Sequence, residues 1–101
     1  MTPIDFHPAA DREVRHARRW YAARSGPTAA RFHAEFWRTA GAVSHTPTAF
    51  SPLSHGTRFA PLRKFPYYLV FVVEPSLVFV LAVVHTSRRP GYWFRRLPGE
   101  P

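Results

Sequence analysis

The residues best suited to chemistry lie close together near the C-terminus. His85 follows a long apolar run, Arg88 stands three positions later, and Tyr92 four positions after that. A histidine can transfer protons near neutral pH, and an arginine can stabilise a phosphate group on which charge develops. Cleavage of RNA, with its own 2′-hydroxyl as the nucleophile, would need little more than these groups. The alternative is that His85 is a structural residue at the end of a strand.

Other kinds of catalytic or metal site are not indicated. The chain has no cysteine, so thiol catalysis and cysteine-based zinc sites are excluded. Its histidines are scattered and lack the close pairing of an H-E-x-x-H motif; they are His7, His16, His33, His45, His55 and His85. No glycine-rich phosphate loop is present, and no pair of acids is suggested near a nucleophile. The sequence therefore predicts neither a metal nor a cofactor.

The chain is strongly basic, with a net charge of +8. Lys64 is its only lysine, so nearly all of this charge is carried by guanidinium groups, whose planar fork binds carboxylate and phosphate. The positive electrostatic potential of such a chain favours nucleic acid, an acidic protein or anionic lipid as partner. An arginine bias of the whole composition would explain the helix arginines equally well. Predicted target- or partner-binding residues are Arg58, Arg63, Lys64, Arg88, Arg89, Trp93, Arg95 and Arg96.

These residues flank an apolar run of 18 residues, Tyr67–Val84. A helix of this length could span a membrane. However, Glu74 would cost about 2.5–3.5 kcal/mol near the middle of a bilayer, and Pro75 would kink the helix at the same depth. The β-branched and aromatic residues on both sides favour strands. We therefore predict a hairpin of two central strands that turns at residues 74–76, and no membrane span.

Two amphipathic helices precede this hairpin. The first begins at Pro8 and the second after Ser25-Gly26-Pro27, where proline suits the first turn of a helix. The second ends before Thr46-Pro47, because a residue that precedes proline is pushed out of helical geometry. The apolar positions, spaced by three or four, are Ala10, Val14, Ala17 and Tyr21 in the first helix and Ala29, Phe32, Phe36, Ala40 and Val43 in the second. We expect an antiparallel αα-hairpin that lies on the sheet.

The remaining segments complete the predicted architecture. Residues 4–7 form a short edge strand, 46–57 a loop, and 58–64 a strand in which Pro61 requires an edge or a bulge. The prediction is an α+β fold of order β-α-α-β-β-β, with the αα-hairpin packed on a small antiparallel sheet. Residues 1–101 are expected to form a single domain whose residues from about 86 to 101 are a basic, aromatic tail. No signal peptide is visible, and with the absence of cysteine this favours a cytoplasmic location.

Four segments together resemble the RelE/ParE superfamily of bacterial toxins. FHPAADREV followed by WYAAR resembles the opening strand and first helix of that family, and AARFHAEFWRTA its second helix. RKFPYYLVF resembles the strand of that family that contains an arginine and leads into an F-P-Y turn. LAVVHTSRRPGYWFRR resembles the last strand and the H-x-x-R-x-P-x-x-W ending of the ParE-like branch. The resemblance covers nearly the whole chain and favours that branch.

The resemblance implies the toxin of a type II toxin–antitoxin system of the plasmid-stabilisation type. An acidic antitoxin that folds on binding would neutralise it in a hetero-oligomer. ParE-like members poison DNA gyrase, whereas RelE-like members cut messenger RNA on the ribosome. The ribonuclease branch keeps an arginine where this chain has Tyr68, although Arg88 and Tyr92 match two of its other positions. We therefore expect a gyrase-directed toxin that is not an enzyme.

Two alternatives stay open at this point. One is a ribosome-dependent endoribonuclease in which His85, Arg88 and Tyr92 are the catalytic candidates. The other is a non-toxic, degenerate relative that binds nucleic acid.

Overall fold

The computed structural model describes residues 2–99, in which two helices precede most of a five-stranded sheet. The elements are β1 Ile4–Phe6, α1 Pro8–Ala22, α2 Gly26–His45, β2 Ser51–Pro52, β3 Arg58–Pro61, β4 Tyr67–Val73 and β5 Val78–His85. Short 3₁₀ turns occur at Pro47–Ala49, Ser54–Gly56 and Tyr92–Arg96. The predicted α+β fold is confirmed. The two-residue strand β2 lies inside the segment predicted as loop. Residues 100–101 of the predicted tail lie outside the described part.

The hairpin of β4 and β5 is the centre of the sheet, whose strand order is β1-β5-β4-β3-β2. Tyr67 pairs with His85 at one end and Val73 with Val78 at the other, so the chain reverses at the predicted turn. The Glu74 N–H donates to the carbonyl of Leu77 across that turn. None of the helices among residues 2–99 combines the length and the apolar character that crossing a bilayer requires.

The sheet contains one parallel pair, between β1 and β5, beside its antiparallel strands. Ile4 lies opposite Val78 and Phe6 opposite Val80. Antiparallel neighbours can be joined by a tight turn, whereas parallel neighbours need a long crossover. In this chain the αα-hairpin and the following strands separate β1 from β5, so no tight turn imposes an antiparallel direction. As predicted, β1 is an edge strand.

The αα-hairpin packs on one face of the sheet and forms the larger core. His7 and Ser25 cap the two helices through side chains that accept the N–H groups of Ala9 and Thr28. The predicted apolar positions point inward: Ala10, Ala17, Ala29, Phe32, Phe36, Ala40 and Val43 are buried. Each Å² of apolar surface buried in this core stabilises the fold by roughly 25 cal/mol.

A second, smaller core covers the opposite face of the hairpin. Its buried members are Val70, Val72, Leu81, Ala82, Val84 and Trp93. The 3₁₀ turn Tyr92–Arg96, which we call the C-terminal turn, forms the cover together with the loop around Leu53. Gly91 begins this turn with φ 95°, a conformation that glycine adopts without strain. Both faces of β4 and β5 are therefore covered, as predicted for central strands.

Candidate functional site

An open groove of about 680 Å³ runs between α1 and the C-terminal end of β5. We call it the α1 groove. On the helix side it is lined by residues spaced three or four apart along one face of α1, and on the other side by the ends of the β4–β5 hairpin and by two later arginines. The lining residues are Ala9, Arg12, Glu13, His16, Trp20, Tyr21, Pro66, Tyr67, Val83, His85, Arg88 and Arg96.

The carboxylate of Glu13 is the centre of the polar contacts in this groove. Both Nη atoms of Arg96 donate to it, at 2.9 and 3.1 Å, and the Tyr92 hydroxyl donates to Oε2 at 2.9 Å. The backbone N–H of Val83 donates to Oε1 at 2.9 Å, and Arg88 Nη1 lies 3.4 Å from Oε2. A single carboxylate thus joins α1, β5 and the C-terminal turn.

Glu13 was not among the residues predicted from the sequence. It lies one turn from both Ala10 and Ala17, which are buried against the sheet. Its side chain is only 15% exposed, and a carboxylate in such a position must be paired to offset the loss of hydration. The sequence did contain a signal for Glu13, because it is an acid beside the apolar stripe of a helix in a chain rich in arginine.

Tyr92 is held as a hydrogen-bond donor. Burial, together with the hydrogen bond to Glu13, raises the pKa of the Tyr92 hydroxyl further above its ordinary value, so ionisation of the group is disfavoured. The guanidinium carbon of Arg88 lies 3.6 Å from the centroid of its ring, and that of Arg96 lies 5.0 Å from it. The ring therefore lies between two cations and a carboxylate.

His85 is oriented by the residues that follow it. Its Nδ1 accepts the backbone N–H of Ser87 at 3.0 Å and lies 2.7 Å from the Ser87 hydroxyl oxygen. The neutral ring therefore carries its proton on Nε2. The Arg88 N–H donates to the carbonyl of His85 at 2.9 Å, which fixes a tight turn between the two residues. The structure thus brings Arg88 against both His85 and Tyr92, and of these three residues His85 and Arg88 line the α1 groove.

The other predicted partner-binding residues fall in four places. Arg58 bonds the carbonyl of Phe50 at 2.6 Å and fastens β3 to the preceding loop. Trp93 is 2% exposed and belongs to the second core, not to the surface. The remaining ones are exposed in two groups, with Arg63 and Lys64 in the turn before β4 and Arg89 and Arg95 beside the C-terminal turn. Their role in binding stays a prediction.

The exposed turn before β4 is attached to α2 through Glu35. Arg38 donates to both carboxylate oxygens of Glu35, at 2.7 and 2.8 Å, and the backbone N–H of Arg63 donates at 2.6 Å. The hydrogen bond from Arg38, followed by that from Arg63, lowers the pKa of Glu35 to about 2. Within residues 2–99, no group of three or more histidine or acidic side chains is arranged to hold a metal ion.

A known protein family matches most of the chain. The family model described as the ParE toxin of the type II toxin–antitoxin system parDE matches residues 4–90. This chain belongs to the ParE toxin family. The ParE-like resemblance predicted from the sequence is thereby confirmed. The match includes Glu13, His85 and Arg88 and ends just before the C-terminal turn, from which Tyr92 and Arg96 bind Glu13.

A solved structure has the same fold as this ParE family member. It is a chain of the chromosomal ParDE toxin–antitoxin system from P. aeruginosa, with a TM-score of 0.73 and 15% sequence identity. The alignment covers 84% of this chain and 96% of that one. At this identity the likeness is one of fold alone. A search of curated proteins gave no match.

Proposed function

We propose that this ParE family member inhibits DNA gyrase in the cytoplasm as a binding protein, and that a cognate acidic antitoxin neutralises it in a hetero-oligomer. Membership of a toxin–antitoxin family supports an antitoxin partner. The observation that favours gyrase over messenger RNA as the target is the hydrogen bond from the Tyr92 hydroxyl to Glu13. RNA cleavage would require this hydroxyl, and in the fold it is already bonded to Glu13.

Tyr92, one of the candidate ribonuclease residues, is poorly suited to catalysis. A general acid or base should have a pKa near the working pH, whereas burial and the hydrogen bond to Glu13 raise the pKa of the Tyr92 hydroxyl further above it. Arg96, one of the predicted partner-binding residues, is also engaged within the fold, since its Nη atoms contact Glu13 and the carbonyl of Leu81. At the position where the ribonuclease branch has an arginine, Tyr68 packs edge-on against Phe59. These features support a protein that acts by binding.

The distribution of charge supports an acidic antitoxin. Within residues 58–96, Glu74 is the only acid, and it lies at the opposite end of the hairpin from the arginines that follow β5. Arg88, Arg89 and Arg95 surround a concavity of about 590 Å³ beside the C-terminal turn. Carboxylates of an extended antitoxin segment would form forked pairs with these guanidinium groups.

The decisive experiment measures the two target pathways in the same cells. We expect induction of the wild-type toxin to stop growth and relax a reporter plasmid while transcripts stay intact. The purified toxin should inhibit supercoiling by gyrase in vitro. Tyr92→Phe should retain both effects, since the hydroxyl has a structural role. Arg18→Gln, which removes an exposed charge from α1, is the matched control and should behave as wild type.

Two results would contradict this proposal. Normal supercoiling with codon-linked transcript cleavage, abolished by Arg88→Ala and by Tyr92→Phe, would establish the ribonuclease alternative. Unimpaired growth with a folded toxin would establish a non-toxic relative. The antitoxin is tested separately: co-expression with a neighbouring acidic reading frame should restore growth, and both chains should co-purify until about 1 M salt screens the arginine pairs.

A further inference from the structure

We propose that a pocket beside the second core binds a neutral, flat aromatic molecule of two fused rings that carries a hydrogen-bond acceptor. The pocket has a volume of about 290 Å³ and lies on the face of the sheet opposite the αα-hairpin. We call it the aromatic pocket. Its lining residues are Leu53, Ser54, Phe59, Tyr68, Pro90, Gly91, Trp93 and Phe94. The inference goes beyond the proposed action on gyrase and does not depend on it.

The lining of the aromatic pocket is uncharged. Within residues 2–99 no charged side chain contributes to it, and four of its eight residues are aromatic. The Tyr68 ring lies edge-on to the rings of Phe59 and Trp93, with centroids 5.9 and 6.3 Å apart. The arginines that follow β5 line the neighbouring concavity instead. Small-molecule sites are mostly apolar and aromatic, with a few polar groups that fix orientation. This lining therefore favours a neutral aromatic ligand over an acidic protein segment.

One of the lining residues carries a hydrogen-bond donor without an acceptor. Trp93 is 2% exposed, and its indole Nε1–H is enclosed and has no partner among the described residues. A buried donor without an acceptor is costly, and native proteins leave few such groups unpaired. The indole ring itself is well packed, since the rings of Tyr68 and Phe94 lie edge-on to it. An acceptor atom on the ligand would satisfy the Trp93 N–H.

The two sides of the aromatic pocket are joined to each other. His55, in the 3₁₀ turn Ser54–Gly56, has its ring centroid 4.1 Å from that of Phe94 in the C-terminal turn. Its φ of 62° is a left-handed conformation that is uncommon for residues other than glycine. Residues in such conformations cluster at ligand clamps and other functional sites. A pocket whose sides are already joined loses little freedom when a ligand enters.

The volume of the aromatic pocket limits the size of its ligand. An apolar cavity of about 150 Å³ holds one benzene molecule, so a pocket of about 290 Å³ holds a molecule of two fused rings. Quinoline and indole both have this size and are the two probes. The ring nitrogen of quinoline accepts a hydrogen bond, whereas that of indole donates one. The pair therefore separates the contribution of the acceptor from that of shape.

The experiment titrates quinoline and indole separately into ¹⁵N-labelled protein and follows the indole N–H signals of the protein by NMR. Trp93→Phe assigns the Trp93 signal, and the signals of the exposed Trp20 and Trp37 serve as internal controls. We expect quinoline to shift the Trp93 signal and to leave the other two in place. Quinoline should bind about fivefold more tightly than indole, which is the contribution of one hydrogen bond.

Ser54→Phe tests the location of the ligand. Ser54 is exposed and lines the aromatic pocket, so a ring added there should fill the pocket and weaken binding about tenfold or more. The matched control is Ser51→Phe, which adds the same ring to an exposed residue of β2 outside the pocket. It should bind quinoline as the wild type does. Far-UV circular dichroism of each variant verifies the fold.

Trp93→Phe tests the role of the indole N–H, because it keeps an aromatic ring and removes the donor. The backbone N–H signal of Gly91, which lines the pocket, measures affinity in this variant. We expect quinoline to lose its fivefold preference over indole. A purely structural role of Trp93 would instead weaken the binding of both probes by the same factor.

Four outcomes would overturn the proposal. Quinoline could leave the Trp93 signal unchanged. The wild type could bind indole as tightly as quinoline, which would show that no acceptor is recognised. Ser51→Phe could weaken binding as much as Ser54→Phe does, which would place the ligand outside the aromatic pocket. The peptide EEWEE could shift the Trp93 signal at lower concentration than quinoline, which would assign the pocket to an apolar side chain of an acidic protein segment.

Discussion

Glu13 and Tyr92 are 79 residues apart in the chain and are joined by a hydrogen bond of 2.9 Å. Arg96 binds the same carboxylate, so α1 and the C-terminal turn are fixed to each other across the end of β5. The turn is therefore an integral part of the fold. Because the turn supplies two of the three side chains that contact the Glu13 carboxylate, the shape and the charge of the α1 groove depend on it.

Replacing Glu13 with Gln should destabilise the protein. The substitution keeps the size of the side chain but removes the charge that pairs with Arg96, which is only 16% exposed. We expect a loss of about 2–3 kcal/mol in the free energy of unfolding, because a nearly buried guanidinium loses its counter-charge. Urea denaturation measures this loss.

Asp11→Asn is the control for that measurement. Asp11 pairs with Arg15 on the exposed face of the same helix, with both side chains at least half exposed. Its loss should cost no more than about 1 kcal/mol. Equal effects of the two substitutions would show that the contacts of Glu13 contribute no more than a surface ion pair.

Glu35 should make stability depend on pH in the acid range. Its pKa is lowered from 4.5 to about 2 in the folded protein, so the unfolded chain binds more protons between these values. The stabilisation is complete above about pH 4.5 and is lost as the pH falls toward 2. Unfolding free energies of wild type and Glu35→Gln should therefore converge on acidification. A difference that stays constant from pH 6 to pH 2 would contradict this assignment.

Trp93 should contribute through packing. Trp93→Ala should cost about 3–5 kcal/mol in the free energy of unfolding, because it leaves a cavity in the second core. Trp93→Phe should cost much less, about 1–2 kcal/mol, since it also removes an indole N–H that has no acceptor among the described residues. Thermal unfolding separates the two variants. Trp37→Ala is the exposed control, and an equal loss there would argue against a special role of the second core.

Gly91 should resist substitution because of its backbone. Its φ of 95° disfavours any side chain, and an added Cβ would lie 3.0 Å from the Phe94 ring. Gly91→Ala should cost about 1–2 kcal/mol in the free energy of unfolding. Gly41→Ala is the matched control, since Gly41 lies inside α2 with open space around it. Alanine there should stabilise by about 0.5–1 kcal/mol, so the two substitutions should have opposite signs.

Much of the fold was predictable because its signals are local. The apolar run with Glu74-Pro75 at its middle predicted the central hairpin, since a proline and a charge cannot continue a membrane helix or a strand. The spacing of Ala10, Val14, Ala17 and Tyr21 predicted the buried face of α1. The parallel direction of β1 was not predictable in this way, because it depends on a partner strand more than 70 residues away.

The sequence by itself determined the helices, the hairpin, the basic character and the family resemblance, because periodicity, turn residues and motif spacing are written along the chain. It also placed His85, Arg88 and Tyr92 near one another. Only the tertiary structure decided that Glu13 engages Tyr92 and Arg96 and that Trp93 is buried. The physical reason is that the free energy of burying a charge or an aromatic ring depends on which distant residues surround it, and these are known only once the chain has folded.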